Sequence, residues 1–149
     1  MLSLMERTLI IIKPDGVRRN LVEKIIESYE EKGLKVVALK KIKATSALLK
    51  KHYSAHVGKT FYSGLERFMS SAEVVAFVLE GKDAVNLARK ITGATDPRKA
   101  AKGTIRGDLG IDSGEKADRE KRAIENLVHA SGTHEEAEKE IKLWFPKLK

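Results

Sequence analysis

The sequence predicts an α+β fold: a four-stranded antiparallel sheet of the split βαβ, ferredoxin-like kind, with helices packed on one face. Three observations carry this expectation. Two short runs, Thr8-Leu9-Ile10-Ile11-Ile12 and Val74-Val75-Ala76-Phe77-Val78-Leu79, are apolar nearly throughout, as central strands buried on both faces are. Stretches with helical spacing of apolar residues separate these runs from each other and from two weaker strands. At 149 residues, with no internal repeat, low-complexity tract or dividing linker, residues 1–149 read as one domain, able to bury roughly 70% of its unfolded surface.

In chain order, the first strand stops at Lys13-Pro14-Asp15-Gly16, a turn in which Asp15 is available to cap the next helix. That helix carries Leu21, Val22, Ile25, Ile26 and Tyr29 at helical spacing, and Gly33 is placed to end it. A second strand runs from Leu34 to Ala44, with Leu34, Val36, Ala38 and Ile42 on one face. Ala47 to Phe68 reads as two short helices broken around Gly58. Beyond the apolar strand at 74–79, Asp83 begins a helix bearing Val85, Leu87, Ala88 and Ile91, with Gly93 after it. Residues 94–122 form a glycine- and charge-containing segment, long for a compact domain and of a type more often functional or disordered than idle. Leu127-Val128-His129-Ala130 is a short last strand. Thr133-His134-Glu135-Glu136 has the form of a capping box, opening a helix that ends near Pro146.

Composition narrows the chemistry. The absence of cysteine removes a thiol nucleophile, a cysteine-based zinc site and an iron–sulfur cluster, and suits a reducing compartment. No apolar stretch approaches the ~20 residues that span a bilayer. The start, Met1-Leu2-Ser3-Leu4-Met5-Glu6-Arg7, is too short and too quickly charged for a secretory signal, so a cytoplasmic protein without membrane partners is expected. Twenty-nine Lys and Arg against 21 Asp and Glu leave a formal charge of +8, which attracts nucleic acid, anionic lipid or nucleotide phosphates. A solvated basic surface explains runs such as Lys40-Lys41-Ile42-Lys43 without any partner. Neither a Walker-type Gly-x-x-x-x-Gly-Lys-Ser/Thr loop nor Gly-x-Gly-x-x-Gly occurs, and no residue cluster suggests a metal held mainly by protein ligands. Any phosphate chemistry here has to use scattered basic side chains.

His129 is the candidate nucleophile. It closes an apolar strand and precedes the small residues Ala130-Ser131-Gly132, which let a ligand approach. A neutral imidazole is a competent nucleophile near neutral pH when one nitrogen is free and the other is oriented by a partner. Packing or simple exposure is the ordinary fate of a strand-end histidine, so the residue alone proves little. The last helix adds Glu140, on the same stripe as Ala137, Ile141 and Trp144. A carboxylate there costs free energy unless compensated, and an imidazole would compensate it; the plainer alternative leaves Glu140 at the edge of the stripe. Lys13, Arg89 and Arg106 stand beside backbone-permissive positions. With a nucleophilic histidine they make up the positioned cations that phosphoryl transfer needs.

Ordered from Arg7 to Phe145, the chain carries Lys13-Pro14-Asp15-Gly16-Val17, His52-Tyr53, Phe61-Tyr62-Ser63-Gly64-Leu65, Gly93-Ala94-Thr95-Asp96-Pro97, Gly103-Thr104-Ile105-Arg106-Gly107-Asp108, Asn126-Leu127-Val128-His129-Ala130-Ser131, and Ala137-Glu138-Lys139-Glu140-Ile141 with Leu143-Trp144-Phe145. In these pieces it closely resembles the nucleoside diphosphate kinase family. The resemblance implies a ping-pong reaction in which a nucleoside triphosphate phosphorylates His129 at Nδ1 and a nucleoside diphosphate collects the phosphate. It implies that Lys13 and Asn126 hold the sugar hydroxyl and phosphate end of the nucleotide, that Arg89, Thr95 and Arg106 bind phosphates, and that Phe61 stacks on the base. Tyr53 would be a phosphate-side aromatic, and Ser131 and Glu140 would orient the nucleophile. Mg²⁺ carried mainly on the nucleotide phosphates is implied, as is a homo-oligomer, a hexamer in preference to a tetramer.

Two features depart from the family pattern. Residues within about 112–125 are extra, and pairs such as Glu115–Arg119 and Asp118–Arg122 give that segment helical i, i+4 spacing. Gly132 stands where the family commonly has Asp. A nucleic-acid-binding module on the same kind of sheet is the rival suited to the charge, but such modules present strand aromatics for stacking. Here Phe77 is the only strand aromatic, so nucleic acid is not expected as a partner.

Overall fold

Side chains alternate across a strand, and in β1 (Met5–Ile12) both sets are apolar: Leu9 and Ile11 enter one core, Ile10 and Ile12 the other. The same division runs through β3 (Val74–Lys82), with Val75, Phe77 and Leu79 on one face and Val74, Ala76 and Val78 on the opposite one. The computed structural model describes residues 5–149, and β2 (Lys35–Ile42) and β4 (Val128–Ala130) complete a sheet of order β2-β3-β1-β4. Every neighbouring pair is antiparallel, as the sequence leads one to expect.

Helices cover both faces of this sheet rather than the one face expected. A strand apolar on both sides requires this, since either face left open would expose a row of aliphatic side chains. On one side lie α2 (Val22–Glu30), contributing Ile25 and Tyr29, and α5 (Ala84–Thr92), contributing Ala84, Ala88 and Ile91. On the other lie α3 (Ser46–His52), α4 (Tyr62–Met69) and α8 (His134–Trp144), which contribute Leu49, Met69 and Trp144. The short helices α1 (Pro14–Arg18), α6 (Ile105–Leu109) and α7 (Gly114–Arg119) sit at the ends of strands and in the long connection. No helix among the described residues is long and apolar enough to cross a membrane.

Several local expectations are revised. Leu34, Val36, Ala38 and Ile42 do not share one face: a bulge between Val36 and Ala38 shifts the register, so Val36 packs on the first core while Ala38 and Ile42 pack on the second. Asp15 caps no helix; α1 begins with Pro14 at its first position and has no side-chain cap. The capping box at α8 is half made, with Thr133 Oγ1 accepting from Glu136 N while the Glu136 carboxylate takes the N–H of Gly132. The segment 94–122 is not structureless, since it holds a 3-10 turn at Pro97–Lys99 together with α6 and α7.

Arg122 lies beyond α7 and turns away from Asp118. Its guanidinium meets Asp112 in a bidentate pair at 2.7 and 2.8 Å, reaches Glu120 at 2.9 Å, and Asp112 also accepts from Glu125 N. This latch folds residues 112–125 back on themselves. The Arg122 hydrogen bonds hold the Asp112 carboxyl well below its ordinary value of 3.8, so the stabilisation is complete above that pH and is lost as pH falls through and below it. Arg122→Ala, which leaves a largely buried carboxylate unpaired, should destabilise the segment by about 2 kcal/mol. Hydrogen exchange should then rise over residues 113–125 at neutral pH, and the acid-induced opening of the wild type should be lost.

Candidate active site

The turn after β1 builds one wall of the site. Lys13 is the last residue before α1, and its backbone N–H donates to Leu127 O at 2.8 Å while Asp15 Oδ2 accepts from Leu127 N at 3.0 Å. Both backbone groups of Leu127 are thus held, and they need to be, because Leu127 adopts a left-handed φ of 73°, costly for a side chain of this kind. Gly16 permits the approach: a Cβ there would lie 2.8 Å from Ile12 Cγ2 and 3.2 Å from Leu127 O. The bend at Leu127 separates Asn126, which faces the Lys13 side chain, from His129 on β4. Sequence reasoning assigned Asp15 to the wrong partner, because that partner is 112 residues away.

His129 is paired through β4 with Ile11 of β1, which sets its backbone, and α8 sets its ring. Glu140 Oε1 meets His129 Nε2 at 2.8 Å and accepts from Ser131 Oγ at 2.7 Å. Glu140 is buried, which opposes its ionisation, but hydrogen bonds and charge from His129, with smaller contributions from His52 and Ser131, hold its carboxyl below the ordinary range. An ionised Glu140 is acceptor only, so His129 carries its proton on Nε2. In the neutral tautomer this leaves Nδ1 as the nitrogen with the lone pair, and among the described residues it has no protein partner. Glu140 lies on the buried stripe of α8 with Ala137 and Trp144, which removes the edge-of-stripe alternative.

His129 borders a cavity of about 420 Å³ lined also by Lys13, Arg89, Thr95, Arg106 and Asn126. Lys13 Nζ donates to Asn126 Oδ1 at 2.8 Å, and Asn126 Nδ2 donates to Thr95 O at 2.9 Å. Burial, reinforced by the nearby Arg106 charge, lowers the Lys13 ammonium to about 8. Arg106 is itself anchored: Nε donates to Asn126 O, Nη1 to Gly93 O and Nη2 to Val128 O. Burial lowers it to about 10, so it stays charged at neutral pH, with two further N–H groups for an anion. Tyr53 is not on this cavity. It lies against His52, with ring centroids 4.6 Å apart, and lines a separate hollow on the other side of His129 with His52, Lys139 and Glu140.

Lys13 also borders a second, larger cavity of about 640 Å³. Half-exposed Phe61, at the start of α4, forms one side of it. Gly114, Ala117, Lys121 and Ile124 of the extra segment form the other, the side that sequence reasoning left without a residue.

Comparison with known proteins agrees with this geometry. The family model described as nucleoside diphosphate kinase matches residues 6–149. The chain belongs to the nucleoside diphosphate kinase family. It is 50% identical over 140 residues to the nucleoside diphosphate kinase of Pyrococcus furiosus, covering 94% of this chain and 83% of that protein. It is 48% identical over 147 residues to that of Saccharomyces cerevisiae, covering 99% and 90%. Among solved structures, an NDP kinase from Pyrobaculum aerophilum superposes with a TM-score of 0.92 at 38% identity, covering 97% of each chain. A nucleoside diphosphate kinase from Borrelia burgdorferi superposes with 0.91 at 38% identity, covering 97% of this chain and 89% of that one.

Within this nucleoside diphosphate kinase fold, the glycine at 132 lies beside Glu136. Gly132 N donates to Glu136 Oε2 at 3.0 Å, and a Cβ at 132 would crowd only that flexible carboxylate end, at 2.6 Å, so packing alone does not demand a glycine. Among the described residues, Glu136 is the one carboxylate on the wall of the cavity beside His129. A single carboxylate suits a divalent ion that arrives on nucleotide phosphates and keeps its waters, not one caged by protein. Among the described residues, His52, His129 and Glu140 form the sole metal-like grouping, in which Glu140 Oε1 meets His129 Nε2 and Ser131 Oγ while His52 Nδ1 accepts from Trp144 Nε1.

The lowered Lys13 makes anion binding pH-dependent. Its charge is present below about pH 8 and lost above it. Sulfate, which does not titrate in this range, should therefore bind the free protein more weakly as pH rises from 7 to 9, and Lys13→Met should bind weakly at both. Calorimetry across that range checks this.

Proposed function

We propose that this chain moves the γ-phosphate of a nucleoside triphosphate, typically ATP, to a nucleoside diphosphate through a phosphohistidine at His129. One observation carries the reading: an imidazole whose Nε2 is bound to Glu140 borders a cavity walled by Lys13, Arg89 and Arg106. In the first half-reaction the Nδ1 lone pair forms a bond to the γ-phosphorus, and the bond from that phosphorus to the bridging oxygen breaks, releasing the nucleoside diphosphate. The second half-reaction reverses these bonds with a new diphosphate as acceptor. Positive charge developing on the His129 ring is met by Glu140, which needs no reorganisation because it is already in place.

The remaining roles rest on position. Arg89 and Arg106 neutralise the equatorial oxygens of the transferring group, with Thr95 beside them. Lys13 and Asn126, joined at 2.8 Å, hold the sugar hydroxyl and the phosphate end of the nucleotide. Phe61 offers a face on which any base can stack, opposite Ala117 and Ile124. Ser131 and Glu140 orient the nucleophile, and Tyr53 supports that assembly through His52. Mg²⁺, bound mainly through the nucleotide phosphates, would neutralise their charge. The Borrelia burgdorferi relative, described as a transition-state mimic with bound vanadate and ADP, supports the same use of the site.

The whole chain acting as one domain, in a cytoplasmic homo-oligomer and as a hexamer rather than a tetramer, belongs to this proposal. Two cores sharing one sheet support the single domain. Exposed Leu39 on the edge strand β2 and Ile111 beyond α6 support association.

Incubation with γ-labelled ATP should place an acid-labile label on the wild-type protein and none on His129→Ala; a labelled His129→Ala protein would end the mechanism. Arg89→Ala should weaken nucleotide binding and slow transfer by about 10²-fold, the scale of losing one preorganised charge contact. Phosphate-exchange kinetics between ATP and several diphosphates check this, and wild-type rates would mean that Arg89 does not meet the phosphates.

A further inference from the structure

One turn of α8 holds two imidazoles, not one. Glu140 takes His129 Nε2, and four residues on, Trp144 Nε1 donates to His52 Nδ1 at 3.0 Å. His52 is the last residue of α3, and its ring stands edge-to-face against the His129 ring, with centroids 4.6 Å apart and planes at 79°. Tyr53 packs on His52 in the same way, at 4.6 Å and 86°. The indole N–H is a donor only, so the Nδ1 it meets is unprotonated, and a neutral His52 carries its proton on Nε2. Glu140 holds the His129 ring through one hydrogen bond, and the His52 ring sets a second plane against it.

We propose that His52 is a positioning residue for the nucleophile: held by Trp144, it packs as a neutral ring against His129 and fixes the plane in which Nδ1 meets phosphorus. The assignment rests on His129 being the nucleophile. It explains why a polar residue is kept in this place. A permanently charged side chain would oppose the positive charge that builds on His129 as the nitrogen–phosphorus bond forms, and an aliphatic one would leave the Trp144 N–H without an acceptor. Burial, followed by the proximity of His129, lowers His52 to about 3, against an opposing pull from Glu140; Lys13 and Lys139 push in the same direction as burial. The ring is therefore neutral wherever the enzyme would work.

Two substitutions separate the ring from the acceptor. His52→Gln keeps an acceptor for Trp144 and loses the ring; His52→Phe keeps a ring and loses the acceptor. Single-turnover phosphorylation of His129 by ATP, nucleotide binding, and the pH dependence of the rate are measured on each. His52→Gln should phosphorylate between about ten- and a hundredfold more slowly, the range in which small misplacements of a reacting atom fall, while binding nucleotide as wild type does. His52→Phe should recover part of that loss, with the acid limb of its rate profile where the wild type has it. Wild-type rates in His52→Gln would overturn the assignment. So would a loss of nucleotide binding that matches the loss of rate, which means general disturbance of the pocket, or a displaced acid limb in His52→Phe, which means that His52 titrates in the reaction. Failure of the underlying mechanism looks different: the label would then appear on His129→Ala.

Discussion

Glu140 Oε1 accepts from His129 Nε2 and Ser131 Oγ together, and because the carboxylate is buried its charge is tolerable only while those bonds are made. The position of α8 over the sheet follows from that requirement as much as from its apolar stripe. Trp144 packs the helix into the core with Leu9 and Ile11 of β1, Ala137 is buried one turn before Glu140, and Glu140 between them fixes the rotation, since a turn in either direction would strand the charge. Strand β4 supplies the other half. It is only three residues long, and pairing with Ile10–Ile12 keeps His129 and Ser131 at the register where both reach one oxygen.

The same economy governs the cavity beside His129. Three cations converge on a small volume, which costs electrostatic free energy until an anion arrives. Burial is the main cause that lowers Lys13 and Arg106, and the neighbouring guanidinium, Arg106 for Lys13 and Arg89 for Arg106, lowers each further. Arg106 is kept in place by three backbone carbonyls, from Gly93, Asn126 and Val128, so it ties α5, the turn before β4 and β4 itself into a single frame. A residue anchored in this way presents its remaining donors without having to be ordered by the ligand. Preorganisation of this sort is what electrostatic stabilisation of a transferring phosphoryl group requires.

Much of this was legible in the chain itself, and for definite reasons. The doubly apolar strands announced the sheet because burial on both sides leaves no polar position, although that same fact implied helices on both faces and was read as one. The helix stripe revealed Glu140 because a carboxylate among Ala137, Ile141 and Trp144 breaks a pattern. The cations were found one by one, but periodicity says nothing about which of them meet. Contacts that depend on distant pairing stayed hidden. Asp15 looks like a helix cap until Leu127 is folded against it, and Arg122 looks like an i, i+4 partner of Asp118 until the chain bends back to Asp112. His52 carried no signal beyond its place next to Tyr53, because its value lies in an indole 92 residues away.

Which nitrogen of His129 is free decides the mechanism. Protein labelled with 15N at histidine and phosphorylated by ATP can be read by phosphorus–nitrogen coupling in NMR. Coupling to Nδ1 of His129, with Nε2 still protonated against Glu140, is the result the geometry predicts. Phosphorus on Nε2, or on another residue, would contradict it.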